Sequence, residues 1–240
     1  MLGLSGSISF SVTLCVRVSV ARVSETCRSG PRREGQAAGM HTSMNSGWAS
    51  DTVHRRAARE GYRSRAAYKL LEIEDRHHVI RRGDSVIDLG AAPGSWLQVL
   101  ATLTSGTILG VDLQPIPPLP GVSTITGDFT DPAVQERIRA MVPVASVLLS
   151  DAAPHLSGNR SLDQARAVGI GQDALAFACL VLSPGGNFVV KSFQGEDFDE
   201  LLGDVRARFR AVHVYRPKVT RKGSRECYII GKNFAGRETC

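Results

Sequence analysis

From Trp48 to about residue 235, two hydrophobic periods take turns along the chain. Short, nearly unbroken apolar runs read as strands: SVIDLG (85–90), TILGVDL (107–113), VSTITGDF (122–129), ASVLLSDAA (145–153), NFVVKSF (187–193), AVHVYRP (211–217) and RECYIIGKN (225–233). Between them lie helical stretches: SWLQVLATL (95–103), DPAVQERIRAMV (131–142), DQARAVGIGQDALAFACLVL (163–182) and DFDELLGDVRARF (197–209). Upstream, Ser50 and Asp51 can cap a basic helix to about Glu60. A second helix, from about Ser64 to His77, carries Ala67, Leu70, Leu71 and Ile73 on one apolar side. Apolar runs that end in Asp or Gly and alternate with helices predict an α/β, Rossmann-like domain over residues 46–235. Its sheet is expected to be mostly parallel, with helices on both faces.

In such a sheet a ligand lies beyond the carboxyl ends of the strands. The first strand runs into GAAPG (90–94), which holds too few glycines for G-x-G-x-x-G and has no Lys for a phosphate loop. Gly169 and Gly171 sit inside a helical stretch and are a decoy. The turn therefore suits a nucleoside without a pyrophosphate. Asp112 ends the second strand, where a carboxylate can accept both ribose hydroxyl protons. Asp128 and Phe129 end the third, offering an acceptor for an exocyclic amine beside an apolar ring. Asp88, near the turn, can face an ammonium. Ribose, adenine and ammonium without phosphate describe S-adenosylmethionine; the alternative is that these aspartates merely form turns.

Lysines are uncommon in buried strands because an unpaired ammonium is costly to desolvate. Lys191 nonetheless sits near the end of the fifth strand, beside Asp151 at the end of the fourth. Glu226 opens the last strand, and Lys69 lies on the second helix. Gathered at one sheet edge, the four make an acid–base cluster.

The net charge of +6 is unevenly placed. Residues 54–69 hold six Lys/Arg and one acid, and residues 206–225 hold eight Lys/Arg and no acid, so these strips total +13 and the remainder −7. That asymmetry favours a nucleic-acid surface over two solvated faces. The basic approach Arg55, Arg56, Arg59, Arg63 and Arg65 and the loop Lys218–Arg225 are expected to flank the pocket and take nucleic-acid phosphates. Six histidines without H-E-x-x-H and five cysteines without C-x-x-C give no metal site and read as a reduced set. Asn159-Arg160-Ser161 matches a glycosylation sequon by chance.

Residues 1–43 differ: they contain five Arg, no Lys, and seven Ser within residues 1–39. Arg17 ends an apolar run too short to span a membrane. The segment is expected to be a disordered extension. Two origins stand: translated upstream sequence, with Met40 or Met44 as the working start, or a mitochondrial presequence.

The motifs GYRSRAAYKL, DLGAAPGSW, VDLQP, GDF, SDAAP, FVVKSFQG and SRECYII, in this order and spacing, resemble the RrmJ/FtsJ-type RNA ribose 2′-O-methyltransferases over roughly Trp48 to Lys232. The resemblance implies a Rossmann-like, S-adenosylmethionine-dependent methyltransferase fold. It implies a Lys-Asp-Lys-Glu tetrad at Lys69, Asp151, Lys191 and Glu226, with Lys191 as proton acceptor, and cofactor contacts at Gly94, Trp96, Asp112, Asp128 and Asp151. It further implies a cytoplasmic monomer, with no membrane partner, that methylates a uridine of large-subunit ribosomal RNA or of the assembled subunit. Transfer-RNA methylation and a non-catalytic RNA-binding role in ribosome assembly are the alternatives. Ser95, where the family often has glycine, and His155, where asparagine is usual, depart from the pattern, and neither belongs to the tetrad.

Overall fold

The computed structural model describes residues 52–154, 157–195, 197–220, 223–236 and 238. Segment 1–43, the capping residues Ser50 and Asp51, and His155 lie outside the described residues. The sheet and its helices belong to the compact unit Asn45–Cys240.

Seven strands form one sheet: β1 (Val86–Leu89), β2 (Ile108–Asp112), β3 (Val122–Thr126), β4 (Ala145–Ser150), β5 (Leu182–Phe193), β6 (Phe209–Tyr215) and β7 (Glu226–Phe234). Their spatial order is β3-β2-β1-β4-β5-β7-β6, parallel from β3 to β5, with β7 antiparallel between β5 and β6. Helices α1 (Thr52–Arg59) and α2 (Ala67–His77) precede the sheet. The crossovers are α3 (Ser95–Leu103), α4 (Pro132–Met141), α5 (Arg160–Val181) and α6 (Phe198–Arg208). All four residues of β1 are buried, because both faces of the sheet are covered. One apolar layer joins α2 and α3 to the sheet through Leu70, Ile73, Leu97 and Leu100. The other joins α4, α5 and α6 through Ile138, Phe177 and Leu201. The expected architecture is thus observed.

Three boundaries move, each for a local reason. α2 begins at Ala67 rather than Ser64, because Ser64 shares a hydrogen bond with Ser95 (2.7 Å between their Oγ atoms) and belongs to the turn against α3. β3 ends at Thr126, so Asp128 lies beyond the strand, and Phe129 packs against the core instead of offering a free ring face. α5 starts early because the Asn159 side chain accepts from Leu162 N (3.3 Å), which makes the sequon asparagine a helix cap. Gly171 lies within α5, where a Cβ would meet Leu201 Cδ2 at 2.6 Å. It allows α6 to approach closely and cradles no phosphate.

Cys227 is a free, buried thiol, pushed up to about 12 by burial. Among the described residues no helix is long and apolar enough to cross a membrane.

Candidate active site

The sheet order reverses between β1 and β4: one neighbour of β1 leads outward through β2 to β3, the other through β4 to β5. Crossovers on the two sides leave a crevice at the carboxyl ends of these two strands. Asp88 of β1 and Asp151, one residue past β4, both line a small cleft there of about 20 Å³, together with Gly90, Ala91 and Trp96.

The four acid–base candidates meet at this edge. Lys69 Nζ is 2.7 Å from Glu226 Oε1 and 3.9 Å from Asp151 Oδ1, and Lys191 Nζ is 3.1 Å from the same Asp151 oxygen. Lys191 Nζ also donates to the Asp151 backbone carbonyl. Both lysines are buried, and each is held by a carboxylate from another element, which offsets the cost of desolvating an ammonium. Residues at alternate positions of a strand share a face, so Glu226, Tyr228 and Ile230 project together. Tyr228 Oη donates to Asp151 Oδ1 (2.7 Å) and lies 3.5 Å from Glu226 Oε1; the Lys69 ammonium is 5.8 Å from its ring centroid. Tyr228 is fully buried and central to the cluster, yet an aromatic residue within a strand reads as core. The only signal is its place two residues after Glu226.

Burial raises the carboxyl of Asp151, but Lys191 and Lys69, with the Tyr228 hydrogen bond, prevail and hold it below the ordinary carboxylate range. Asp88 is pushed well above that range, first by burial and then by Asp151 and Asp112. Neither of its carboxyl oxygens has a hydrogen-bond partner among the described residues. The Tyr228 hydroxyl is pushed well up by burial and by Asp151 and Glu226, and so stays a donor.

The expected ligand contacts divide. Asp112 Oδ2 accepts from Ala92 N (2.9 Å) and Oδ1 from Gln114 N (2.8 Å), so this carboxylate braces the glycine turn and each oxygen keeps a lone pair for a further donor. Gly94 opens α3 at φ +100°, a conformation open to glycine. The Trp96 ring is buried and its indole N–H donates to Ala66 O (2.9 Å), so it forms a wall of the cleft and anchors α2. Asp128 is exposed, with Oδ1 accepting from Thr130 N and Oγ1.

The basic strips also divide. Arg55, Arg59, Arg216, Lys218 and Arg225 are exposed, and Arg56 pairs with Glu60 (2.8 Å). Arg63, expected to face phosphates, is half-buried, and three backbone carbonyls engage its guanidinium.

The model of the FtsJ-like methyltransferase family matches residues 62–234. The ribosomal RNA large subunit methyltransferase E of Methanoculleus marisnigri is 63% identical over 198 residues, covering 82% of this chain and 97% of its own. The protein of the same name from Methanoregula boonei is 58% identical over 193 residues, covering 80% of this chain and 100% of its own. A Plasmodium falciparum structure described as a ribosomal RNA methyltransferase superposes with a TM-score of 0.67 at 30% identity, over 73% of this chain and 100% of that one. The Methanococcus jannaschii fibrillarin pre-rRNA processing protein shares the fold alone, with a TM-score of 0.52 at 15% identity over 65% of this chain and 69% of its own. Fold and family match together define a methyltransferase. The chain belongs to the FtsJ-like methyltransferase family.

Proposed function

We propose that this protein transfers a methyl group from S-adenosylmethionine to a ribose 2′-hydroxyl in RNA, with a uridine of large-subunit ribosomal RNA as the target. The observation that carries the chemistry is the convergence of Lys69, Asp151, Lys191 and Glu226, from four separate elements, on one crevice that also holds Asp88. The target class rests on the names of the relatives, which are ribosomal RNA methyltransferases. The protein is taken to act as a cytoplasmic monomer on the RNA or the assembled subunit.

The residues fit the donor. Asp88 is a buried, unpartnered carboxyl lining the cleft, suited to an ammonium. In this reading Asp112, at the end of β2, is assigned to the ribose hydroxyls, and Asp128, beyond β3, to the exocyclic amine. When bound, S-adenosylmethionine supplies a methyl on a sulfonium, open to in-line displacement by oxygen. A ribose hydroxyl is a weak nucleophile and gains from losing its proton as the bond forms. Lys191, in its neutral form, accepts that proton at Nζ and later releases it to solvent. Asp151 fixes Nζ in place. Lys69 shares the same Asp151 oxygen, so one carboxylate joins the two lysines. Glu226 and Tyr228 keep Lys69 and Asp151 in register.

The test uses purified protein, S-adenosylmethionine labelled on the methyl, and large-subunit or transfer RNA. The expected product is an alkali-resistant linkage at one uridine of the large-subunit RNA. Lys191→Ala is expected to lower the single-turnover rate at least ~10³-fold with cofactor affinity within a few-fold, because its role lies in the transition state. Lys191→Arg should not rescue, since arginine keeps its proton. Methylation of transfer RNA alone would replace the target. RNA binding without any methyl transfer by the wild type would leave an assembly factor.

A further inference from the structure

The Arg63 guanidinium joins two loops that chain order keeps apart. Nη1 donates to Pro93 O (3.0 Å) in the glycine turn and to Pro117 O (2.7 Å), and Nη2 donates to Pro118 O (2.8 Å) in the proline-rich loop after Asp112. That loop, Pro115–Pro120, carries four prolines and so lacks most of the N–H groups that would tie it down. Its carbonyls need an outside donor, and a planar fork of five N–H groups can reach several at once. The fork is itself aimed: Arg63 N donates to Gln98 Oε1 and Gln98 Nε2 donates to Gly61 O, both at 2.8 Å, from the first turns of α3. A Cβ at Gly94 would collide with Arg63 Nη1, so the glycine leaves room for this arginine.

The same two loops are joined a second time. The Asp112 carboxylate accepts from Ala92 N in the turn and from Gln114 N at the start of the proline-rich loop. Ile116 of the same loop is buried in the core cluster that holds Trp96 and Leu97, and lies against Gly94. The acid proposed for the ribose hydroxyls therefore stands on a frame whose far side is closed by Arg63. We infer that Arg63 is a positioning residue for the methyl donor: it sets the spacing of the glycine turn and the proline-rich loop, and it is not a phosphate contact of the basic strip.

This inference rests on the proposed use of S-adenosylmethionine. Its test is titration of the full chain with S-adenosylmethionine by calorimetry, beside steady-state kinetics and an RNA-binding salt series, for the wild type and Arg63→Lys. Lysine keeps the positive charge and loses the fork. The expected result is about tenfold weaker donor affinity, a matching rise in the donor KM, kcat at saturating donor within threefold, and an unchanged RNA salt slope. Gln98→Ala, which keeps the arginine but frees its backbone, should move the donor KM the same way by a smaller factor. That variant carries the test if Arg63→Lys does not fold. Donor affinity within twofold of wild type in the folded variants would overturn the inference. So would a loss of RNA affinity with donor binding intact. A wild-type chain that does not bind S-adenosylmethionine at all would bring down the proposed function, and this inference with it.

Discussion

Asp88 and Asp151 stand at adjacent strand ends, and their carboxyls are driven in opposite directions. Asp151 gains two ammonium groups and a tyrosine hydroxyl. Its lowered value means that its contribution to stability is present above the unfolded value of about 3.9 and is lost as pH falls through the folded value. Asp88 gains nothing, and burial raises it. The sign is then reversed: below the unfolded value both states are neutral, and above it the folded state alone retains the proton. Stability therefore falls with rising pH, at about 1.4 kcal/mol per unit, until the folded value is passed. Asp88→Asn removes this slope. Urea unfolding followed from the unfolded value of about 3.9 upward should show the variant gaining on the wild type until the folded value is passed, while its affinity for S-adenosylmethionine drops. A stability difference that stays constant across that range would mean that Asp88 ionises freely in the fold. A buried acid with this liability is consistent with a group retained for a cationic ligand and not for the fold.

At the scale of elements, α2 holds the site together. Lys69 grips Glu226 at the start of β7. Three residues further along the same helix, Glu72 accepts from Lys218 N (2.6 Å), Val219 N (3.3 Å) and Tyr215 Oη (3.3 Å), where the chain leaves β6. Positions three apart share a helix face, so one face of α2 fastens both the entry and the exit of the connection from β6 to β7. Glu72→Ala should loosen the entry, raising the RNA KM roughly 3–10-fold, as expected for partly exposed bonds to a carboxylate. The donor KM should stay within twofold. An unchanged RNA KM in steady-state kinetics would show that this fastening is irrelevant to substrate. Within the cluster Lys191 is legible in the sequence because a lysine in a buried strand is chemically out of place, whereas Lys69, on a helix, is legible through the motif GYRSRAAYKL. Arg63, Glu72 and Tyr228 are not, since each resembles its neighbours: an arginine in a basic run, an acid on a helix, an aromatic in a strand. Their partners are distant in sequence, 30 to 55 residues from Arg63 and more than 140 from Glu72, and no local pattern encodes such contacts. The start of α2 departs from the expected position for a related reason, since Ser64 is claimed by Ser95 across 31 residues.

For the molecule as a whole, the net charge of +6 matters through its placement. α1 is tied to α2 by Tyr68 Oη, which donates to Glu60 Oε2 (2.7 Å), and by the Arg56 guanidinium 4.7 Å from the Tyr68 ring centroid. Residues 215–219 are tied to the same helix through Glu72. Both basic strips are thus fixed to the element that delivers Lys69 to the crevice, so phosphates held by the strips would be held relative to the reacting ribose. Arg59 on one strip and Arg225 on the other are exposed, and neither belongs to the acid–base cluster. With Arg63 engaged by loop carbonyls, the exposed arginines and lysines are the groups left to meet phosphates. Such contacts are insensitive to sequence and release counterions, each steepening the dependence of log affinity on log salt by about 0.7–0.9. The double variant Arg59→Glu with Arg225→Glu should therefore weaken RNA binding at low salt and flatten that slope by about 1.5. Donor affinity should be unaffected, because neither residue touches the glycine turn or the proline-rich loop. A salt series giving the same slope for variant and wild type would show that these strips are solvated faces, and that RNA reaches the crevice by another surface.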